Sequence, residues 1–193
     1  MMKWERLAED GRSVVNEVCT TLRPLLEGVS TEIAERLRRG GKVMTCGNGG
    51  SASDAQHMSG ELVNRFLLER RPYAAIALCA DISVLTSISN DYSFEEIFSK
   101  QVQALGRKGD VLVGFSTSGK SGNLCRAFEA ANSMEDIWTV AIAGSADSPL
   151  VHLAKSSLCI QSVFDVPRIQ EGHHLLMHVL CQLVEEKMER VGG

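Results

Sequence analysis

From Gly40 onward the chain alternates short, almost unbroken apolar runs with longer stretches of helical spacing, and this alternation limits the fold more than any other feature. The runs are "KVMTC" (42–46), "YAAIALC" (73–79), "DVLVGF" (110–115), "IWTVAIA" (137–143) and "SSLCI" (156–160). Helical spacing fills 51–68, 81–104, 121–133 and 168–190, with only a short connection after the fourth run. A strand that is apolar at nearly every position is buried on both faces, the signature of a parallel sheet covered by helices on either side. Five such strands joined by helical crossovers predict an α/β fold, a doubly wound five-stranded parallel sheet. Ahead of it, Trp4, Leu7, Val14, Val15, Val18, Leu22 and Leu25 recur at helical intervals. Pro24 is expected to bend or restart that helix, Ser30 or Thr31 to cap a second one, and Gly40-Gly41 to end it. The chain reads as one domain, 1–193, with an N-terminal helical extension (1–39) on an α/β core (40–193). The apolar stripe of the extension predicts packing between subunits in a homotetramer.

In sheets of this kind ligands bind beyond the carboxyl ends of the strands, and two loops there are unusual. The first is "CGNGGSASDAQH" (46–57), where Asn48, Gly49, Gly50 and Ser51 lie between a strand and a helix. Glycines permit positive φ and close approach of backbone amides to an anion, and a helix N-terminus adds its dipole. The loop matches neither G-x-G-x-x-G nor a Walker A sequence, so no nucleotide cofactor is expected; alone it serves equally well as a tight turn. The second is "STSGKSGN" (116–123), with Ser116, Thr117, Ser118 and Ser121. A cap needs one hydroxyl. Four hydroxyls at a helix N-terminus suit a phosphate monoester bound without a metal.

Hydrophobic residues make up 44% and charged residues 23%, which excludes a disordered chain. A net charge of −4 disfavours a nucleic-acid partner. No apolar run approaches the ~18 residues of a membrane span, and "MMKWERLAEDGRS" lacks the apolar centre of an export signal. Six scattered cysteines without a C-x-x-C pair read as reduced thiols in a cytoplasmic protein. His57 and Glu61 share a helix face at i,i+4, and Gln170, His174 and His178 fall near one face of the last helix. Each has a plainer reading: a solvated ion pair for the first two, a packed core histidine for the last. Asn90-Asp91 alone reads as a turn, and His152 as a surface residue.

Three segments together resemble the sugar isomerase (SIS) domain family, in particular its sedoheptulose-7-phosphate (phosphoheptose) isomerase branch. They are "CGNGGSASDAQH", "ISNDYSFEEIFSKQVQALGRKGDVLVGFSTSGKSGN" and "RIQEGHHLLMHVLCQLVE", in the family's order. The resemblance implies a homotetramer with sites between subunits, converting sedoheptulose 7-phosphate to D-glycero-D-manno-heptose 7-phosphate for bacterial surface glycans such as the lipopolysaccharide core. It puts phosphate on Ser116, Thr117, Ser118 and Ser121, and sugar contacts on Asn48, Gly49, Gly50, Ser51, Asn90, Asp91 and Gln170. It makes Glu61 and His178 the catalytic pair. The chemistry of the two side chains, rather than the resemblance, suggests Glu61 as the base at C1, since desolvation raises a carboxylate's basicity, and protonated His178 as the acid at C2, with the opposite assignment left open. The resemblance also implies a possible zinc ion on His57, Glu61, Gln170 and His178, and leaves His173 and His174 open. Two stretches depart from the family pattern: "AGSADSPLVHLAKSS" (143–157) is shorter and less glycine-rich, and Asp165-Val166-Pro167 precedes Arg168 where some members carry an acid beside the arginine. Other SIS-type chains are non-enzymatic binders of a replication initiator or sugar-phosphate sensors; neither needs an acid/base pair such as Glu61 and His178.

Overall fold

The computed structural model describes residues 3–189. The strands β1 (Val43–Gly47), β2 (Ala75–Ala77), β3 (Val111–Ser116), β4 (Trp138–Ala143) and β5 (Ser156–Cys159) form one sheet in the order β2-β1-β3-β4-β5. Every pairing is parallel. The chain goes from β1 outward to β2, then returns to place β3 on the other side of β1. That reversal makes β1/β3 the switch point where open sheets leave a crevice. Val43 pairs with Val111 and Gly47 with Phe115, so the loops after the two strands emerge side by side.

Successive side chains of a strand point to opposite faces. Val43, Val111, Val113 and Phe115 meet α2 (Arg23–Arg38), α3 (Gly50–Val63) and α8 (Val166–Glu189) through Ile33, Ala55, Met58, Leu176 and Leu180. Met44, Cys46 and Leu112 meet α5 (Ser99–Leu105) and α6 (Gly122–Ser133) through Val102, Leu124 and Phe128. Each of the valine, leucine, isoleucine, methionine and phenylalanine side chains among them, fully buried, contributes roughly 1.5–3 kcal/mol relative to exposure.

The N-terminal helix α1 (Trp4–Asn16) passes through a π-helical turn, Glu17–Thr21, before α2 begins. Pro24 sits in the first turn of α2, where its missing N–H leaves no bond unmade. The expected cap at Ser30 or Thr31 is not there. Both lie inside α2, and their hydroxyls donate to the Glu27 carbonyl at 3.1 and 2.7 Å. The run 73–79 yields a strand of only three residues, because β2 is the sheet edge. The region 81–104 divides into α4 (Ile82–Asp91), capped by Asp81 accepting from the Val84 amide at 3.0 Å, a 3₁₀ turn (Phe94–Glu96) and α5. The stretch after β4 contains a short helix, α7 (Pro149–Leu153), whose Leu150 amide donates to the Gly119 carbonyl at 3.0 Å. Among the described residues no helix is long and apolar enough to cross a membrane.

The helix expected over 51–68 ends at Val63. Glu185 of α8 draws the next residues off the helical path, accepting from the amides of Phe66, Leu67 and Leu68 at 3.1, 2.9 and 3.1 Å. Arg70 pairs with Glu185 at 2.9 Å and donates to the carbonyls of Glu61 (2.8 Å) and Leu62 (3.1 Å), closing the end of α3. Its guanidinium lies 3.8 Å from the centre of the Tyr73 ring.

Candidate active site

The helices α3 and α8 run side by side in the same direction, and their facing residues build the site turn by turn. At the top, a Cβ on Gly50 would stand 1.7 Å from Gln170 Nε2, so the absence of a side chain there lets Gln170 lie on the first turn of α3. Gly49, at φ 58°, makes the sharp entry into that helix. One turn down, the buried carboxylate of Asp54 takes a hydrogen bond at 3.1 Å from His174 Nδ1. Below it, His57 Nε2 lies 2.9 Å from Glu61 Oε1. The His57 ring is 4.9 Å from that of His178 and 5.0 Å from that of His174, and the last two are 4.5 Å apart. Phe66, held by the Glu185 loop, flanks His178 at 5.8 Å. A cleft of about 470 Å³ opens on this group, lined by His57, Gly60, Glu61, Asn64, Arg65 and Phe66.

Burial lowers the pKa of His178, and the neighbouring His174 and His57 lower it further, against a partial pull upward from Glu61 and Asp54. The ring is therefore neutral at neutral pH. His173, on a different face of α8, is fully buried; burial lowers its pKa, against a partial pull upward from the Ala143 backbone and Asp54. It is a core residue, whereas His174 joins the cluster. His152 is on the surface beside Asp147 at 3.1 Å.

The hydroxyl loop is folded on itself. Ser116 Oγ accepts from the Gly119 amide at 3.0 Å and lies 3.3 Å from Ser121 Oγ, while Ser118 Oγ accepts from the Lys120 amide at 3.2 Å. The Thr117 carbonyl accepts from the Gly144 amide at 3.2 Å. Ser121 precedes the first turn of α6 in extended conformation; its carbonyl accepts from the Leu124 and Cys125 amides at 3.1 Å each, while its hydroxyl makes no cap hydrogen bond. Asn48 and Asn123 exchange two amide hydrogen bonds of 2.9 Å each, tying the glycine loop to the start of α6. Asn123 and Asp54 escaped the sequence reading; each is one polar residue in the first turns of a helix, and only the fold shows its partner. Ser51 is buried in the first turn of α3. Asn90 and Asp91 stand apart, exposed at the end of α4 and bonded to each other at 2.9 Å.

Residues 8–144 match the SIS domain family model. The chain is 49% identical to the phosphoheptose isomerase of Helicobacter pylori over 153 residues, covering 79% of each chain. It is 45% identical to that of a Roseiflexus species over 168 residues, 87% of this chain and 84% of the relative. Among solved structures, a phosphoheptose isomerase from Francisella tularensis superposes with a TM-score of 0.88 at 33% identity, over 96% of this chain and all of the other. That of Neisseria gonorrhoeae gives 0.86 at 38% identity, over 94% and 96%.

Proposed function

The chain belongs to the SIS domain family, and we propose that it is a phosphoheptose isomerase, an aldose–ketose isomerase interconverting sedoheptulose 7-phosphate and D-glycero-D-manno-heptose 7-phosphate. The observation that carries the reading is that Glu61 and His178 both gather on His57, which with Glu61 lines the cleft, beside strand-end loops suited to a phosphorylated sugar. The same proposal puts the enzyme in the cytoplasm, at an early step toward a bacterial surface heptose. Incubation with sedoheptulose 7-phosphate should yield an aldose 7-phosphate detectable by NMR; no conversion by the folded protein overturns the proposal.

The reaction moves one hydrogen from C1 to C2 through a cis-enediol. We assign its removal from C1 and its return at C2 to the Glu61 carboxylate. Neutral His178 gives its N–H proton to O2 as the enediol forms and takes up the proton that O1 releases as the aldehyde forms. This assignment departs from the expectation that protonated His178 supplies C2; it follows the direction in which burial and the neighbouring imidazoles shift the ring, away from the charged form. A neutral imidazole is still able to donate and to accept. His57, Glu61 and His178 are donor types that zinc takes, and their convergence fits a metal; when bound, it would polarise a sugar oxygen as a Lewis acid.

The phosphate falls, in this reading, on Ser116, Thr117, Ser118 and Ser121 at the start of α6. Ser118→Ala/Ser121→Ala should raise KM with little change in kcat, because phosphate is held equally in ground and transition states. Loss of each donor to a charged acceptor costs about 1.5–3 kcal/mol, and an unchanged KM refutes the assignment.

A homotetramer is part of the proposal. Trp4 is 72% exposed, Leu25 51% and Phe164 91%, more apolar surface than a solitary chain needs. Light scattering that found a stable monomer at micromolar concentration would refute it.

A further inference from the structure

We propose that Asn123 is a positioning residue for the sugar, acting through Asn48; the inference rests on the isomerase reading and its phosphate loop. Asn123 lies in the first turn of α6 and is 2% exposed. Its side chain reaches across the switch point to Asn48, the residue that follows β1. The two amides close a ring. Asn48 Nδ2 donates to Asn123 Oδ1, and Asn123 Nδ2 donates to Asn48 Oδ1, each at 2.9 Å. Both lengths are those of well-made N–H···O bonds.

A side-chain amide has two N–H donors and a carbonyl oxygen with two lone pairs. The ring takes one donor and one acceptor from each asparagine. Asn48 is only partly buried, so its second N–H and its second lone pair remain for a ligand. Asn123 is sealed and offers a sugar almost no surface of its own. Gly47, just before Asn48, is in register with Phe115, just before the hydroxyl loop. A phosphate at the start of α6 therefore brings the adjoining carbons of its sugar against the loop that Asn48 opens. An unheld asparagine side chain turns about two bonds, and either end of its amide can meet a hydroxyl. The ring fixes the plane of the Asn48 amide, so the remaining donor and acceptor point along set directions. Among the described residues nothing else is hydrogen-bonded to the Asn48 side chain, so its aim depends on Asn123.

Asn123→Ala frees Asn48 and leaves the loop hydroxyls in place. Calorimetry on the full chain compares two probes, inorganic phosphate and sedoheptulose 7-phosphate. The variant should bind sedoheptulose 7-phosphate about 3–10-fold more weakly, the worth of one hydrogen bond, and inorganic phosphate as well as wild type does. KM should rise by the same factor, with kcat changed less. Asn48→Ala should show the same selective loss. Asn48→Ala/Asn123→Ala should lose no more than Asn48→Ala alone, because a residue that acts only through another adds nothing once the other is gone. If circular dichroism shows that Asn123→Ala does not fold, Asn123→Ser, too short to close the ring, replaces it. Losses that multiply in the double variant, an unchanged affinity for sedoheptulose 7-phosphate, or an equal loss for both probes overturns the proposal. A wild-type chain that holds sedoheptulose 7-phosphate no better than inorganic phosphate also overturns it. Tight binding of the sugar phosphate without conversion refutes the isomerase reading instead, and the ratio of the two affinities still decides the role of Asn123.

Discussion

Glu61→Gln should lower kcat by roughly 10²–10⁴-fold, the range supplied by a positioned general base. Glutamine keeps the shape of the side chain and a hydrogen bond with His57, now 2.9 Å from the carboxylate, but it cannot hold the proton taken from C1. KM should change little, since phosphate and sugar contacts lie elsewhere. The decisive measurement is solvent exchange. In heavy water the wild-type enzyme should place deuterium at the carbon that receives the transferred hydrogen, in competition with direct transfer on the same carboxylate. The variant should show neither exchange nor turnover. Full exchange in Glu61→Gln removes Glu61 from the chemistry.

Glu185→Leu should lose about 3–5 kcal/mol of folding stability, the cost of breaking a buried ion pair by removing one partner. The side chains of Glu185 and Arg70 are 2% and 1% exposed. The substitution strands a guanidinium and the amides of Phe66, Leu67 and Leu68 at once. Burial alone would raise the Glu185 pKa, but those amides and Arg70 outweigh it and hold the carboxyl below its ordinary value. A depressed carboxyl pKa contributes stability that is fully present above the unfolded value near 4.3 and is lost as pH falls through the folded value. Urea unfolding should therefore show the full gap between wild type and variant at pH 7, and a narrowing gap below about pH 4. A loss under 1 kcal/mol at pH 7 would mean that water reaches the pair.

The central strands were legible because burial on both faces leaves no room for polar residues: β1 and β3 are buried throughout. Strand β2 was over-read, since "YAAIALC" is as apolar as a central strand while only position in the sheet limits it to three residues. The end of α3 was illegible for a different reason. Nothing in "NRFLLERRP" announces a break; the break comes from Glu185, more than a hundred residues away. In the site, His57 and Glu61 declared themselves through spacing on one helix. His174 fell by spacing on the face of Gln170 and His178, but its role stayed open, because the same apolar helix offers His173 one position earlier, and only packing tells that one ring is sealed in the core while its neighbour faces Asp54. Asn123 had no signal at all until its partner Asn48 was placed beside it.

That paired amide bridge has a thermodynamic consequence. Two surface loops that fluctuate independently must each be immobilised when a flexible sugar phosphate arrives, and every side chain or segment frozen at that moment subtracts from affinity. Here the loops after β1 and β3 leave adjacent strands in register and are clasped across the gap by Asn48 and Asn123. Their relative motion is removed once, when the chain folds. Ligand binding then meets a surface whose entropy is already low, and more of the contact energy is left to hold the substrate.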